Sequence, residues 1–343
     1  MGLYIIGFAW NVDCNPQNMP MKKTLIVLLG PTGIGKTELS LSLAEHLGCP
    51  ILNCDSRQLF RDLKIGTAAP TEAELSRATH YFVGTLGLEE YYSAAQYESD
   101  ALALLDELFK LYNTVLLSGG SMLYIDAVCK GIDDIPTIDE STRTLMKERL
   151  DREGLESLCE ELRRLDPEYY SIVDKHNTRR IVHALEICHM TGQTYTSFRT
   201  SGQKQRPFNI VKIGLQLPRE ELFDRINQRV EQMMKDGLMN EVTQNLPYRH
   251  LNSLNTVGYK ELFEYIDNKD KPDAEKRALQ IKGHIATLQD AIERIKKNTR
   301  VYAKKQMTWF AKDEDIAWFH PAERQAIIHH IEERTTLLTP SNE

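Results

Sequence analysis

The sequence predicts an α/β fold: a buried parallel sheet, with helices between its strands and a helical insertion. Three observations carry this. Five apolar residues, Leu25 to Leu29, run straight into Gly30-Pro31-Thr32-Gly33-Ile34-Gly35-Lys36-Thr37 and then into a helical stretch, Glu38 to Leu47. Short apolar runs recur at 50–54, 114–118 and 210–215, with helical patterns between them. From Glu140 to about Gly192 the chain is rich in Leu and Arg and poor in β-branched runs. A short continuous apolar run is the mark of a strand covered on both faces, as in parallel sheets.

The first strand leads into G-x-x-x-x-G-K-T, the spacing of a phosphate-binding loop, in the strand–loop–helix context that motif requires. Gly30, Gly33 and Gly35 let the backbone turn its N–H groups inward, and the following helix adds the positive end of its dipole. Lys36 offers a point charge to phosphate oxygens, and the Thr37 hydroxyl suits a Mg2+ ligand. A P-loop NTPase-like core follows, although the motif does not say whether the phosphates belong to a nucleoside triphosphate.

Pro50 to Cys54 reads as a second strand ending in Asp55-Ser56-Arg57-Gln58. The carboxyl ends of strands in an open α/β sheet face the ligand crevice, which places Asp55 beside the loop. Asp55 then has a chemical role, holds magnesium, or merely caps a turn. His80 to Gly84 is expected as a further short strand, and a helix opens near Tyr92 with Ser93 as its N-cap. The strand Thr114–Ser118 carries no acid at its end, where a motor or switch NTPase places its magnesium-associated Asp. Gly119, Gly120 and Ser121 stand there instead, and two glycines permit close backbone approach to a ligand.

The cluster of Gly, Asp and Pro from Gly131 to Pro136 marks a boundary. The expected division is an extension over 1–20, a core over 21–134 and 207–318, an insertion over 135–206, and a peripheral segment over 319–343 with a frayed end. Between His176 and Lys212 there are Arg179, Arg180, Arg199, Lys204, Arg206 and Lys212 against Glu186 alone, a local charge of 6 − 1 = +5 in a chain of net charge −7. That suits a phosphodiester backbone. Leu222, Ile226, Val230 and Met233 mark a helix on which Arg225 and Arg229, four apart, share a face. Leu288, Ile292, Ile295 and Tyr302 form a stripe opposite Arg294, Lys297, Arg300 and Lys304, a basic amphipathic helix ending near Phe310.

The six cysteines are scattered with no C-x-x-C pair, which favours a reducing cytoplasm over a disulfide framework or zinc site. No apolar run approaches a membrane span of about 20 residues.

Eight ordered motifs resemble those of the tRNA dimethylallyltransferases: Gly30-Pro31-Thr32 with Gly35-Lys36-Thr37; Asp55 to Gln58; Ile65-Gly66-Thr67-Ala68; Tyr92-Ser93-Ala94; Gly119 to Tyr124; Arg179-Arg180 with Ala184-Leu185-Glu186; Thr256-Val257-Gly258-Tyr259; and Tyr302 to Gln306 with Thr308-Trp309. The likeness runs from about residue 24 to 311. It implies transfer of a dimethylallyl group from dimethylallyl diphosphate to N6 of adenosine 37 beside a tRNA anticodon. The loop Gly30 to Thr37 would hold diphosphate rather than ATP. Asp55 would be the general base, Thr37 the Mg2+ and diphosphate ligand, Arg229 the arginine on the departing diphosphate, and Ser121 the counterpart of a threonine near the reacting centre. Asp55, Ser56, Arg57, Gln58, Arg143, Arg179, Arg180, Ile181, Val182 and His183 would meet the anticodon stem-loop, with Thr256, Val257, Gly258, Tyr259 and Lys260 as further contacts. A cytoplasmic monomer with Mg2+ as cofactor is expected.

Three positions depart from the family pattern: Ser121 for threonine, His183 for arginine, and Ala69 where some members have lysine. Two other readings share the loop, a small-molecule kinase and a transferase acting on free adenine nucleotides. A noncatalytic RNA-binding module is the third. The kinase would need neither the +5 segment nor the basic last helix.

Overall fold

The computed structural model describes residues 23–199 and 202–336. The expected extension over 1–20 and the last residues of the chain lie outside them. β1 (Thr24–Leu29), α1 (Lys36–Leu47), β2 (Ile51–Asn53), α2 (Glu72–Arg77) and β3 (His80–Tyr81) open the chain. α3 (Ala94–Leu111), β4 (Thr114–Gly119) and α4 (Met122–Lys130) follow. Four helices come next: α5 (Glu140–Leu165), α6 (Pro167–Ile172), α7 (Thr178–Thr191) and α8 (Tyr195–Phe198). β5 (Asn209–Leu215), α9 (Arg219–Lys235), α10 (Leu238–Gln244), α11 (Tyr259–Asn268), α12 (Asp273–Ile281), α13 (Leu288–Phe310), β6 (Ile316–Phe319) and α14 (Arg324–Thr336) complete it.

The sheet is parallel throughout, in the order β3-β2-β4-β1-β5-β6. Every residue of β1 is buried, as its unbroken apolar run requires. Leu29 of β1 pairs with Gly119 of β4, and Ser118 of β4 pairs with Asn53 of β2. The three strands therefore end level. The loop after β1, Asp55 after β2 and Gly120 after β4 leave one edge side by side, about 10 Å across at the usual strand spacing.

Contacts divide the chain into two units. The first holds the sheet; the second takes residues 92–100 and 126–206. The second unit ends at Arg206. It begins earlier than the expected 135 and includes the start of α3. Ser93 does cap that helix, accepting from the Gln96 N–H at 3.1 Å.

The segment 319–343 was expected to be peripheral, and its described part is not. β6 joins the sheet beside β5, and Ile327, Ile328 and Ile331 of α14 are buried in the cluster that holds Leu28, Leu41 and Ile213. A four-residue strand and isoleucines at helical spacing were too short a pattern to register. A second cluster joins α9, α10, α11 and α13 through Val230, Leu238, Val242, Leu262 and Ile295. The second unit has a core of its own from α5, α6 and α7, with Leu158, Leu162, Tyr169 and Leu185. Asp166, 1% exposed, caps α6 by accepting from Tyr169 N–H and also binds the N–H and hydroxyl of Thr196. Among the described residues no helix is long and apolar enough to cross a membrane.

Candidate active site

α1 begins at Lys36 behind Gly35, whose φ of 100° is open to glycine at little cost. Lys36 turns back over the loop, and its ammonium donates to the carbonyls of Gly30 (2.9 Å) and Pro31 (2.8 Å). Burial, with the charge of Arg229 adding to it, pushes its pKa down to about 8. Thr37 is exposed at the first turn and lines a cleft of about 650 Å3 with Thr32, Lys36, Asp55, Gly120 and Arg229. Ile34, expected among the diphosphate ligands, is fully buried in the core, so it offers only backbone there.

Asp55 holds its own turn: Oδ1 accepts from the N–H of Arg57 at 2.9 Å and of Gln58 at 3.4 Å. The capping reading is thus correct for one oxygen, and Oδ2 accepts no hydrogen bond from the described residues. Asp55 also lines a second cleft, of about 330 Å3, bounded by Thr256, Val257, Gly258 and Lys260. Thr32, Asp55, Arg229 and Tyr302 line both clefts. One cavity is walled by Thr32, Gly33, Gly35, Lys36 and Thr37 of the phosphate loop, the other by Thr32 alone of these, and they share a carboxylate and a guanidinium. Burial disfavours the Arg229 charge, and Asp55 opposes that effect.

Several expected residues have other tasks. Ser121 lines neither cleft. Its hydroxyl accepts from the Ser56 N–H at 2.8 Å, and its own N–H donates to the Cys54 carbonyl at 3.1 Å, so it positions the turn that carries Asp55. The Arg57 guanidinium donates to the carbonyls of Asn252 and Ser253, and the Gln58 amide to those of Thr67 and Ala68. Tyr259, expected at the RNA, is fully buried, and its hydroxyl donates to Glu241 at 2.6 Å. Its place one residue inside α11 turns it into the core. Gly119 and Gly120 line the first cleft, yet their lack of a side chain also serves the protein: a Cβ on Gly119 would lie 2.6 Å from the Cys54 backbone carbon, and one on Gly120 would meet Gln306.

Gln306, Tyr302 and Glu241 were not foreseen. Gln306, 2% exposed, accepts from Thr32 N–H at 2.9 Å and donates to Gly120 O at 2.8 Å, clamping the loop to the end of β4. Tyr302, expected in an apolar stripe, instead faces the clefts; burial and the nearby Asp55 push its pKa up to about 12. Four residues apart on α13, the two share a face, which was the available signal. Glu241 accepts from the N–H groups of Lys64, Ile65 and Gly66 at 2.8–2.9 Å, fixing the loop whose Thr67 carbonyl meets Arg229 at 3.4 Å and Gln58 at 3.1 Å. Nothing in the sequence marks that role.

In the second unit, Arg179 and Arg180 are exposed in the first turn of α7, capped by Asn177. Arg143 is half-buried on α5. Ile181 is fully buried in the helical core, with Val182 packed against it, so Ile181 is no RNA contact. His183 lies 3.4 Å from Glu186. The +5 segment is also less free than its count. Arg206 is buried against Glu98 at 2.7 Å, Lys204 meets Asp134 at 2.9 Å, and Lys212 on β5 is buried against Asp313 at 2.8 Å. Arg179, Arg180 and Arg199 remain.

Residues 58–313 match the sequence model of a family described as IPP transferase. The tRNA dimethylallyltransferase 1 of Phocaeicola vulgatus is 60% identical over 311 residues, covering 91% of this chain and 98% of that protein. That of Bacteroides thetaiotaomicron is 57% identical over 318 residues, covering 93% and 98%. The crystal structure of the full-length tRNA isopentenylpyrophosphate transferase from Bacillus halodurans matches with a TM-score of 0.62 at 30% identity, covering 92% of this chain and 99% of that one.

Proposed function

This chain belongs to the IPP transferase family, and we propose that it transfers a dimethylallyl group from dimethylallyl diphosphate to N6 of adenosine 37 beside a tRNA anticodon. The observation that carries the reading is the meeting of the two clefts at Asp55 and Arg229. The diphosphate occupies the phosphate-loop cleft, and the adenine enters from the side of Thr256 to Lys260.

An exocyclic adenine amine is a weak nucleophile because its lone pair is delocalised into the ring. Asp55 Oδ2 orients the N6 amine and takes its proton as the N6–C1 bond forms. The C1–O bond breaks, and the electron pair leaves with the diphosphate. An allylic carbon bears positive charge readily, so the larger task is to stabilise the leaving group. Lys36, inward N–H groups of the loop and Arg229 do so from fixed positions. Among the described residues no group of three or more His, Cys, Asp or Glu could cage a metal. Mg2+ suits a site made of the Thr37 hydroxyl, diphosphate oxygens and water. When bound, it adds positive charge to the leaving group.

The target base must leave its stack to reach a cleft inside the protein. An unpaired anticodon loop lowers that cost and exposes bases to reading. Arg179 and Arg180 sit at the positive end of α7, where cations cost stability, and that placement suits a phosphate. Incubation of undermodified tRNA with labelled dimethylallyl diphosphate and Mg2+, followed by nucleoside analysis, tests the proposal. Label in N6-isopentenyladenosine supports it; label in AMP alone, or none, refutes it.

A further inference from the structure

The phosphate cleft, about 650 Å3, is roomy enough for three phosphates in a row, so its volume does not choose between a diphosphate and a triphosphate. The groups on its wall do. Among the described residues the N–H groups of Gly33, Gly35 and Lys36 have no hydrogen-bond partner and remain for an anion. The Thr32 N–H differs. It donates to Gln306 Oε1 at 2.9 Å, and Gln306 Nε2 donates to the Gly120 carbonyl at 2.8 Å. Both ends of one amide are thereby committed to backbone, and Gln306 still lines the cleft beside Thr32, Gly119 and Gly120.

The position of this amide gives it a consequence beyond fastening. A Cβ on Gly120 would lie 2.5 Å from Gln306 Nε2 and 3.2 Å from the Gly30 carbonyl. The amide therefore fills the gap between the start of the loop and the end of β4 without slack. Enzymes that use a triphosphate need two things near that gap: donors for the terminal phosphate, and an acid after the neighbouring strand for its magnesium. Here the Thr32 donor is already taken, and Ser118-Gly119-Gly120 supplies no acid. A neutral amide brings no charge to an extra phosphate, and one held at both ends cannot turn to offer its own N–H.

We propose that Gln306 sets the specificity of the phosphate loop: it closes the outer end of the loop and limits the cleft to a diphosphate. This rests on the transferase reading above, in which diphosphate is the leaving group, and it adds what keeps nucleoside triphosphates out. A residue that only stiffened the loop would, once removed, weaken every anion alike. A specificity-determining residue changes their ratio.

The test compares the binding of inorganic diphosphate and inorganic triphosphate, each with Mg2+, to the full chain by calorimetry. The wild type should prefer diphosphate. Gln306→Ala frees the Thr32 N–H and the space beside it, so a hydrogen bond to a charged oxygen becomes available to the third phosphate. The preference for diphosphate should then narrow by about tenfold or more. Gln306→Asn, an amide one carbon too short to reach both Thr32 and Gly120, should shift the ratio in the same direction, and it serves if the buried alanine costs the fold. A ratio that stays within about twofold of wild type in the folded variant overturns the proposal. So does a wild type that binds triphosphate as tightly as diphosphate. Failure of the wild-type protein to prenylate tRNA would instead sink the transferase reading, and the two anion affinities would still report on Gln306.

Discussion

Glu241→Gln should be the most damaging single-atom change outside the clefts. The Glu241 carboxylate, 8% exposed, takes four donors: three successive N–H groups of the 64–66 loop and the Tyr259 hydroxyl. An amide keeps one acceptor oxygen and turns a donor toward its neighbours. With the NH2 in place of Oε2, it faces the N–H groups of Lys64 and Ile65, which lose their partner. Two unsatisfied buried donors at about 1–3 kcal/mol each give roughly 2–6 kcal/mol, reduced by the desolvation that a neutral group avoids, so about 3 kcal/mol. Tyr259→Phe removes one bond to a charged acceptor and strands no donor on the loop, which costs about 1.5–3 kcal/mol. Urea unfolding followed by far-UV circular dichroism measures both as shifts in midpoint at constant slope. In the folded fraction, single-turnover transfer should also slow for Glu241→Gln, because the same loop presents the Thr67 carbonyl to Arg229 and Gln58. A Glu241→Gln protein within about 0.5 kcal/mol of wild type would refute the anchoring role.

Three further outcomes follow. Lys36 in the free protein gives up its proton near pH 8, whereas a bound diphosphate favours the charged form; diphosphate affinity should fall about tenfold between pH 8 and 9 or slightly above, with proton uptake on binding that calorimetry in buffers of different ionisation enthalpy detects. ATP should not be hydrolysed, since Ser118-Gly119-Gly120 ends β4 without an acid; steady hydrolysis abolished by Lys36→Ala would contradict this. Arg179→Ala with Arg180→Ala should weaken tRNA binding and flatten its salt dependence while diphosphate binding holds; an unchanged slope would make them surface charge.

The sheet and its loop were legible because their signals are local. An unbroken apolar run followed by G-x-x-x-x-G-K-T fixes a strand, a turn and a helix within about twenty residues, and the position of Asp55 follows from the rule on strand ends. What stayed hidden depends on partners far away in the chain. The count of +5 between His176 and Lys212 could not reveal that Glu98 and Asp313 neutralise Arg206 and Lys212. Ile181 and Tyr259 lie within motifs, yet their side chains turn into cores, because a motif names neighbours in sequence and a helix spreads them over every face. Gln306 lies 274 residues from Thr32, and only the packed helix brings them together. Asp55 is intermediate: capping and catalysis looked like rivals, and the carboxylate has two oxygens that divide the tasks.

The central claim is that Asp55 takes the proton from the amine, and Asp55→Asn tests it most directly. Asparagine preserves the size and can keep an oxygen on the Arg57 and Gln58 N–H groups, so the turn should survive. It cannot accept the proton. Single-turnover transfer with enzyme in excess over tRNA isolates the chemical step from product release. The account predicts that tRNA and dimethylallyl diphosphate still bind while this step slows by roughly 10²–10⁴-fold, the usual scale for a general base. A variant that transfers the dimethylallyl group within about threefold of the wild-type rate would contradict it.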